Sequence, residues 1–243
     1  MDLTADCSRC SALCCTTLEL TVSSDFAIDK AAGTSCPNLD RRLGCRLHPV
    51  LRQRGFSGCA VYDCYGAGQQ VSQVTFAGRD LLGDPRVVDV FPVVRVLHEL
   101  RWHLRAAGLD ETEVAGLADG SPAELLALDL DALWERVDAL LMAHADRVRG
   151  DGRDLRGAML VGADLAGEDL SGASLRGARA VSADLRGAIF DRVDLTGADL
   201  RRADLSGADL RGAQFLTQAQ LDSAQGDGLT LLPERLRRPA HWG

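Results

Sequence analysis

From Arg153 to about Thr217 the chain reads in fives: RDLRG, AMLVG, ADLAG, EDLSG, ASLRG, ARAVS, ADLRG, AIFDR, VDLTG, ADLRR, ADLSG, ADLRG, AQFLT. The period is unbroken through thirteen units. An amphipathic helix repeats its faces every 3.6 residues, so a strict five excludes it. The pattern points instead to a solenoid in which each unit supplies one side of a coil. The central residue of each unit and the alanine that opens it are then expected to point inward. The inward ladder runs from Leu155 to Phe215 in steps of five, with Ala180 and Phe190 as its departures from leucine.

These units closely resemble the A-(D/N)-L-x-x pattern of the pentapeptide-repeat family. The resemblance covers about a quarter of the chain and implies a right-handed quadrilateral β-helix with four pentads per coil. Thirteen pentads then give a little over three coils, a stack of about 15 Å at the spacing of neighbouring strands. Every fourth pentad shares a face, so Asp164, Asp184 and Asp204 form one acidic column, which Arg186 neutralises in part. Another face presents Met159, Val161 and Val181 beside Arg179, an apolar patch expected to receive the helices that precede the coil. Exposed coil ends are sheet edges and need covers. Thr217 and the following QAQLDSA break the register with an N-cap and a helical turn, which predicts a C-terminal cap. The tail through Trp242 is expected to pack back as an anchor.

The second signature lies upstream. Eight cysteines, Cys7, Cys10, Cys14, Cys15, Cys36, Cys45, Cys59 and Cys64, fall within a glycine-broken segment of no sustained periodicity, about residues 1–70. Such a loop-rich fold needs a staple. No apolar run approaches the roughly 18 residues of a membrane span, and residues 1–6 lack the start of a secretory signal. The expected address is therefore cytoplasmic, where disulfides are disfavoured. Core packing and disulfides remain open readings, but a vicinal Cys14–Cys15 pair flanked by polar residues favours soft thiolate ligands for a metal. The layout CSRCSALCC, SCPNL, GCRLH, GCAVYDC resembles a zinc- or iron-chelating cysteine-cluster family. Cys10, Cys14, Cys15, Cys36, Cys45, Cys59 and Cys64 match its pattern, and Cys7 is an additional candidate. The Arg-Pro common before its penultimate cysteine is replaced here by Gly55-Phe56-Ser57-Gly58. Eight thiolates suffice for two four-ligand sites, whose pairing the sequence leaves open. The irregular spacing departs from a zinc ribbon and favours an iron-sulfur cluster over zinc. His48 is expected at the surface or the core edge.

Between these regions, about 71–150, two helices are predicted. One runs from Val87 to about Gly108 on the stripe Val90, Phe91, Val93, Val94, Leu97, Leu100 and Leu104. Its antiparallel partner starts at Ser121, with Pro122 and Glu124 completing a capping box, and runs to Arg149. The domains expected are thus 1–70, 71–150, 151–217 and 218–243. His98-Glu99 and His103 look like a zinc-protease helix, but histidines five apart face about 140° from each other and are expected on the helix surface. Gly66-Ala-Gly68 lacks the rest of a phosphate loop, and no catalytic residues can be named.

The formal charge of −8 is spread as −6 over residues 1–150, −2 over 151–217 and zero beyond. No basic footprint predicts nucleic-acid binding. The chain is therefore expected to be a metal-cluster protein whose coil is a scaffold for an unidentified protein partner, possible redox response included. One alternative is a redox enzyme using the cluster. Another is the role of some pentapeptide-repeat proteins that imitate B-DNA and protect DNA gyrase, for which three weakly charged coils are a poor imitation.

Overall fold

The computed structural model describes residues 2–77, 81 and 84–243. The chain forms two compact units, 1–138 and 139–243.

In the first unit short elements surround one long helix. Helices α1 (Leu13–Thr17), α2 (Ser57–Val61) and α3 (Ala67–Gln70) lie in the cysteine-bearing part, and α3 runs on into a wider π turn, Val71–Thr75. Isolated antiparallel bridges join Leu20 to Lys30 and Leu39 to Cys45. Helix α4 (Arg86–Ala106) carries the predicted stripe, but it also buries His98, Arg101 and His103. It packs chiefly on α5 (Thr112–Ala118), α6 (Pro122–Leu126), α3 and α1. A helix with partners on several sides buries most of its circumference. This corrects the surface placement expected for His98 and His103. Arg101 is tolerated there because Glu111 accepts from its Nε at 3.0 Å.

The predicted partner helix is two helices. The Ser121 capping box is present, with Glu124 N–H donating to Ser121 Oγ and Ser121 N–H to Glu124 Oε2. That helix stops at Leu126. Asp129 then accepts from Ala132 N–H at 3.0 Å and starts α7 (Leu130–Arg149).

In the second unit, parallel bridges link residues twenty apart: Asp154 to Ser174 to Asp194 to Gln214, and likewise in the columns that begin at Met159, Asp164 and Asp169. Twenty residues are four pentads, so the coil has four sides. Each bridge residue is followed by a tight turn, as where Ala158 N–H donates to Leu155 O at 3.1 Å. From Gly157 to Gly207 the fifth position takes a left-handed φ, which explains the glycines there; Ser182, Arg192 and Arg202 adopt it at φ 55–61°. The turn consumes the rest of each pentad, so among the described residues no continuous strand forms. The expected β character reduces to single-residue bridges.

The aspartate of the motif has a structural reason. Its Oδ1 accepts the N–H two residues on, from Arg156, Ser171, Arg186, Thr196, Arg201, Ser206 and Arg211, and so closes the turn. Inside, the ladder from Leu170 to Phe215 is buried, while Leu155, Leu160 and Leu165 of the first coil are only half-buried. Two further sides come from beyond the pentads, where Gln225 bridges to Asp204 and Leu231 to Asp209. Between the last pentad and Gln225 lies α8 (Gln218–Ser223), with Thr217 and Gln220 forming a capping box. Trp242 is buried as expected, and its Nε1–H donates to Ala224 O at 3.1 Å.

The second half of α7 belongs to this unit. His144 meets the Phe215 ring at 6.1 Å, and Arg149 Nη1 donates to the carbonyls of Gly152 and Gly172. A Cβ on Gly172 would lie 2.4 Å from Arg149 O, so only glycine permits this approach. The apolar residues Met159 and Val161, expected to be covered by helices, stand exposed at 66% and 55%. No helix among the described residues is long and apolar enough to cross a membrane.

Candidate metal centre

Leu13 is fully buried and anchors α1, while Ala12 before it turns the chain at φ 54°. The helix thereby presents Cys14 and Cys15 with their sulfurs 3.9 Å apart. The Thr16 and Thr17 hydroxyls donate back to Leu13 O, which holds this single turn together.

Cys7 opens a 3₁₀ turn capped by Asp6, whose Oδ1 accepts from Ser8 N–H. Cys10 follows, its thiolate favoured by the Leu13 backbone and by Ser72. That sulfur lies over Gly68 of α3, where a Cβ would sit 2.5 Å from it and 4.0 Å from Cys64 Sγ. Cys64 in turn starts α3, its carbonyl accepting from Ala67 N–H at 2.8 Å. Farther along, Cys36 N–H donates to Cys15 O at 2.9 Å. Cys45 ends a bridge to Leu39, its carbonyl accepts from His48 N–H at 3.2 Å, and the Leu47 and His48 backbone favours its thiolate. Cys59 lies on α2. His48 is exposed.

Burial is the main cause that raises the Cys7, Cys10, Cys45 and Cys59 thiols, Cys59 to about 11, and neighbouring cysteines add to it. The vicinal pair behaves differently. The Cys14 thiol donates to Cys15, which raises Cys14 and brings Cys15 down to about 7, with Lys30 assisting. All eight cysteines are free thiols.

Lys30 escaped the sequence reading. It is the only lysine in the chain, set against 26 arginines, and it is buried at 6% exposure. Its Nζ donates to the carbonyls of Thr16, Ala31 and Thr34 at 3.4, 3.2 and 3.0 Å. Among the described residues no carboxylate pairs with it. Burial lowers its pKa, and negative charge on Cys36, Cys15, Cys14 and Cys59 raises it. A compact ammonium with three donors suits three carbonyls better than a planar guanidinium would.

Among the described residues, no three cysteine, histidine or acidic side chains are already gathered closely enough to hold one ion. The surroundings nevertheless fit thiolate ligands. The donors are soft sulfurs, the backbone at Leu13, Leu47 and His48 favours the charged forms of Cys10 and Cys45, and Gly68 leaves the room that the Cys10 sulfur needs.

The His98 and His103 pair does not join this set. His98 Nδ1 donates to Tyr65 O at 2.7 Å within the core, and His103 stacks edge-on against Trp102 at 5.1 Å.

On the coil, the acidic column is locally compensated. Asp184 and Arg186 close a two-bond clasp, as do Asp154 with Arg156, Asp199 with Arg201 and Asp209 with Arg211. Arg186 also reaches Asp204 at 4.0 Å.

A family model described as Pentapeptide repeats matches residues 154–192 and 188–224. Solved structures similar to the chain include the pentapeptide repeat protein Rfr23 of Cyanothece 51142, 31% identical over 32% of this chain and 53% of that one, TM-score 0.29. Another is alr5209 of Nostoc Pcc 7120, a pentapeptide repeat protein 37% identical over 41% of this chain and 87% of that one, TM-score 0.27. The alignment thus spans about half of Rfr23. Over nearly the whole length, 99% of this chain and 95% of the other, the sequence is 49% identical to the uncharacterized protein YybG of Bacillus subtilis strain 168. The chain belongs to the family of YybG, and its residues 154–224 are pentapeptide repeats.

Proposed function

We propose that the chain is a cytoplasmic metal-cluster protein, with Cys7, Cys10, Cys14, Cys15, Cys36, Cys45, Cys59 and Cys64 as ligands and the right-handed coil as a scaffold for a protein partner. The observation that carries this reading is eight free thiols in one segment, four of which, Cys36, Cys15, Cys14 and Cys59, act on a buried lysine that no carboxylate pairs among the described residues. A positive charge buried without a carboxylate is costly unless groups near it carry negative charge. Bound zinc would staple a loop-rich fold, whereas an iron-sulfur cluster would add one-electron redox chemistry. The irregular spacing of the ligands favours the cluster.

The scaffold part rests on the coil's regular, rigid faces. Its carboxylates are held in clasps with arginines of the same pentad, so the surface offers charge pairs and an exposed Met159–Val161 spot rather than a field of negative charge. That disfavours imitation of a DNA duplex, and a gyrase supercoiling assay is expected to show no protection.

The deciding experiment is metal and sulfide analysis with a visible spectrum on protein purified without oxygen. Iron with acid-labile sulfide and a broad band near roughly 400 nm supports the cluster. Stoichiometric zinc in colourless protein makes the site a structural staple. Protein without either metal overturns the metal-binding reading.

A further inference from the structure

Within the coil each bridge residue gives its N–H and C=O to the turn before it, as where Ser174 N–H donates to Arg153 O and Ser174 O accepts from Leu155 N–H. The first turn has no turn before it. Its bridge residues Asp154, Met159, Asp164 and Asp169, one on each side, are exposed, and their N–H and C=O groups have no hydrogen-bond partner among the described residues. Within this rim Leu155, Leu160 and Leu165 are only half-buried. Such an edge is completed by pairing with another. The far end offers no match. Three columns extend one turn further, to Gln214, Gln225 and Leu231, while the Met159 column stops at Asp199. A head-to-tail stack would therefore set four equal sides on unequal ones. A second open end has the same four sides, and two of them make a closed pair rather than a filament.

Shape and charge select the same axis for that pair. A coil climbs one strand spacing per turn, so its rim carries a step at the corner where the Asp169 side passes into the second turn beside Asp154. A two-fold axis through this corner brings the two steps together and keeps the rims one spacing, about 4.8 Å, apart on every side. Any other axis sets a step against an unbroken rim. The carboxylates agree. Asp164 and Asp169 accept the N–H of Ala166 and Ser171 and, unlike Asp154 with Arg156, have no arginine clasp among the described residues. The corner axis lays the Asp154 side on the Asp169 side and the Met159 side on the Asp164 side, so no unclasped acid meets another. Every other two-fold axis of a four-sided coil sets Asp164 or Asp169 against itself or against the other, and like charges directly opposite are destabilising.

We infer that the open end of the coil is a self-association surface, on which two copies of this chain join rim to rim about the corner between the Asp169 and Asp154 sides. Opposed bridge residues then exchange N–H and C=O bonds as in an antiparallel sheet, and Leu155, Leu160 and Leu165 of each copy lose their remaining contact with water. Neither a metal nor the scaffold's other partner enters this pairing, which goes beyond both.

Sedimentation equilibrium of the full chain, purified without oxygen so that no disulfide contributes, is expected to show a reversible monomer–dimer equilibrium. Met159 stands 66% exposed and faces the Asp164 side of the other copy. Met159→Asp is therefore expected to weaken the dimer about tenfold, and Met159→Lys to tighten it. Aspartate holds this position in most pentads, so the coil accepts it. A monomer at every concentration, particles larger than a dimer, or unchanged affinity in both variants overturns the inference. Weakening by both substitutions sets Met159 against itself and overturns it as well. Where a variant folds poorly, amide hydrogen exchange on the wild-type chain decides: the N–H groups of Asp154, Met159, Asp164 and Asp169 are expected to gain protection as protein concentration rises. Protection that is equal at low and high concentration means that the chain covers its own coil end, and overturns the pairing.

Discussion

His98 donates its Nδ1 proton to the carbonyl oxygen of Tyr65 across 2.7 Å of fully buried core, where its Nε2 has no partner among the described residues. A carbonyl only accepts, so this contact fixes the neutral tautomer. Burial holds the imidazole at about 4, below its usual 6.5, with Arg101 lowering it further and Asp119 opposing. Above pH 6.5 the ring is neutral in both folded and unfolded chains. As the pH falls from 6.5 towards 4, the unfolded chain takes up a proton that the folded one refuses, and stability is lost. Below 4 the loss stops. The window corresponds to about 3 kcal/mol. In denaturant titrations, the stability gap between wild type and His98→Leu is expected to narrow by about that amount between pH 7 and pH 4. A gap that stays constant means His98 is not buried as a neutral ring.

The pentad aspartates are chemically alike and differ in surroundings. Asp194 is buried, accepts from both Thr196 N–H and Oγ–H, and pairs with Arg176 at 3.4 Å. Asp209 makes the same turn and clasps Arg211 at the surface. Asp194→Ala is expected to cost about 3 kcal/mol because it strips partners from buried groups. Asp209→Ala should cost about 1 kcal/mol or less. Equal losses in chemical denaturation contradict this.

Trp242 closes the far end of the coil, and Gly226 lies so close to it that a Cβ would sit 2.5 Å from the indole ring. Trp242→Ala is expected to destabilise the coil by about 3 kcal/mol. Gly226→Ala should produce a loss in the same direction by displacing the same ring, together with a red-shifted tryptophan emission. Wild-type melting in both variants shows that the tail is not a lid.

Lys30 offers a simple check of its own. An amine-acylating reagent should modify it at least about tenfold more slowly in folded than in urea-unfolded protein, since only opening of its carbonyl cage exposes Nζ. Peptide mass spectrometry reads this directly. Equal rates place Lys30 at the surface.

The coil was legible because everything that makes it is local: the five-residue period, the aspartate that closes its own turn and the glycine that takes the left-handed position. The capping boxes at Ser121 and Thr217 were legible for the same reason. Leucine spacing runs on through Ala127 and Asp129, however, so the break between α6 and α7 is visible only once Asp129 is seen to cap the second helix. Burial of His98 and His103 was hidden because periodicity reports one apolar stripe, and α4 acquires its other partners from helices too short to leave a pattern. At the candidate site, the sequence shows that eight thiols share one segment. Which sulfur faces which is set by long-range packing, such as Gly68 against Cys10. One signal was present and missed, a single lysine in a chain that otherwise spells every basic residue as arginine.

The clasps between Asp184 and Arg186, and their repeats, close within one pentad. A clasped pentad therefore carries its own counter-ion. A gene that gains or loses units of sixty nucleotides adds or removes a whole turn in register, and where its acids are clasped the rod changes length without accumulating charge.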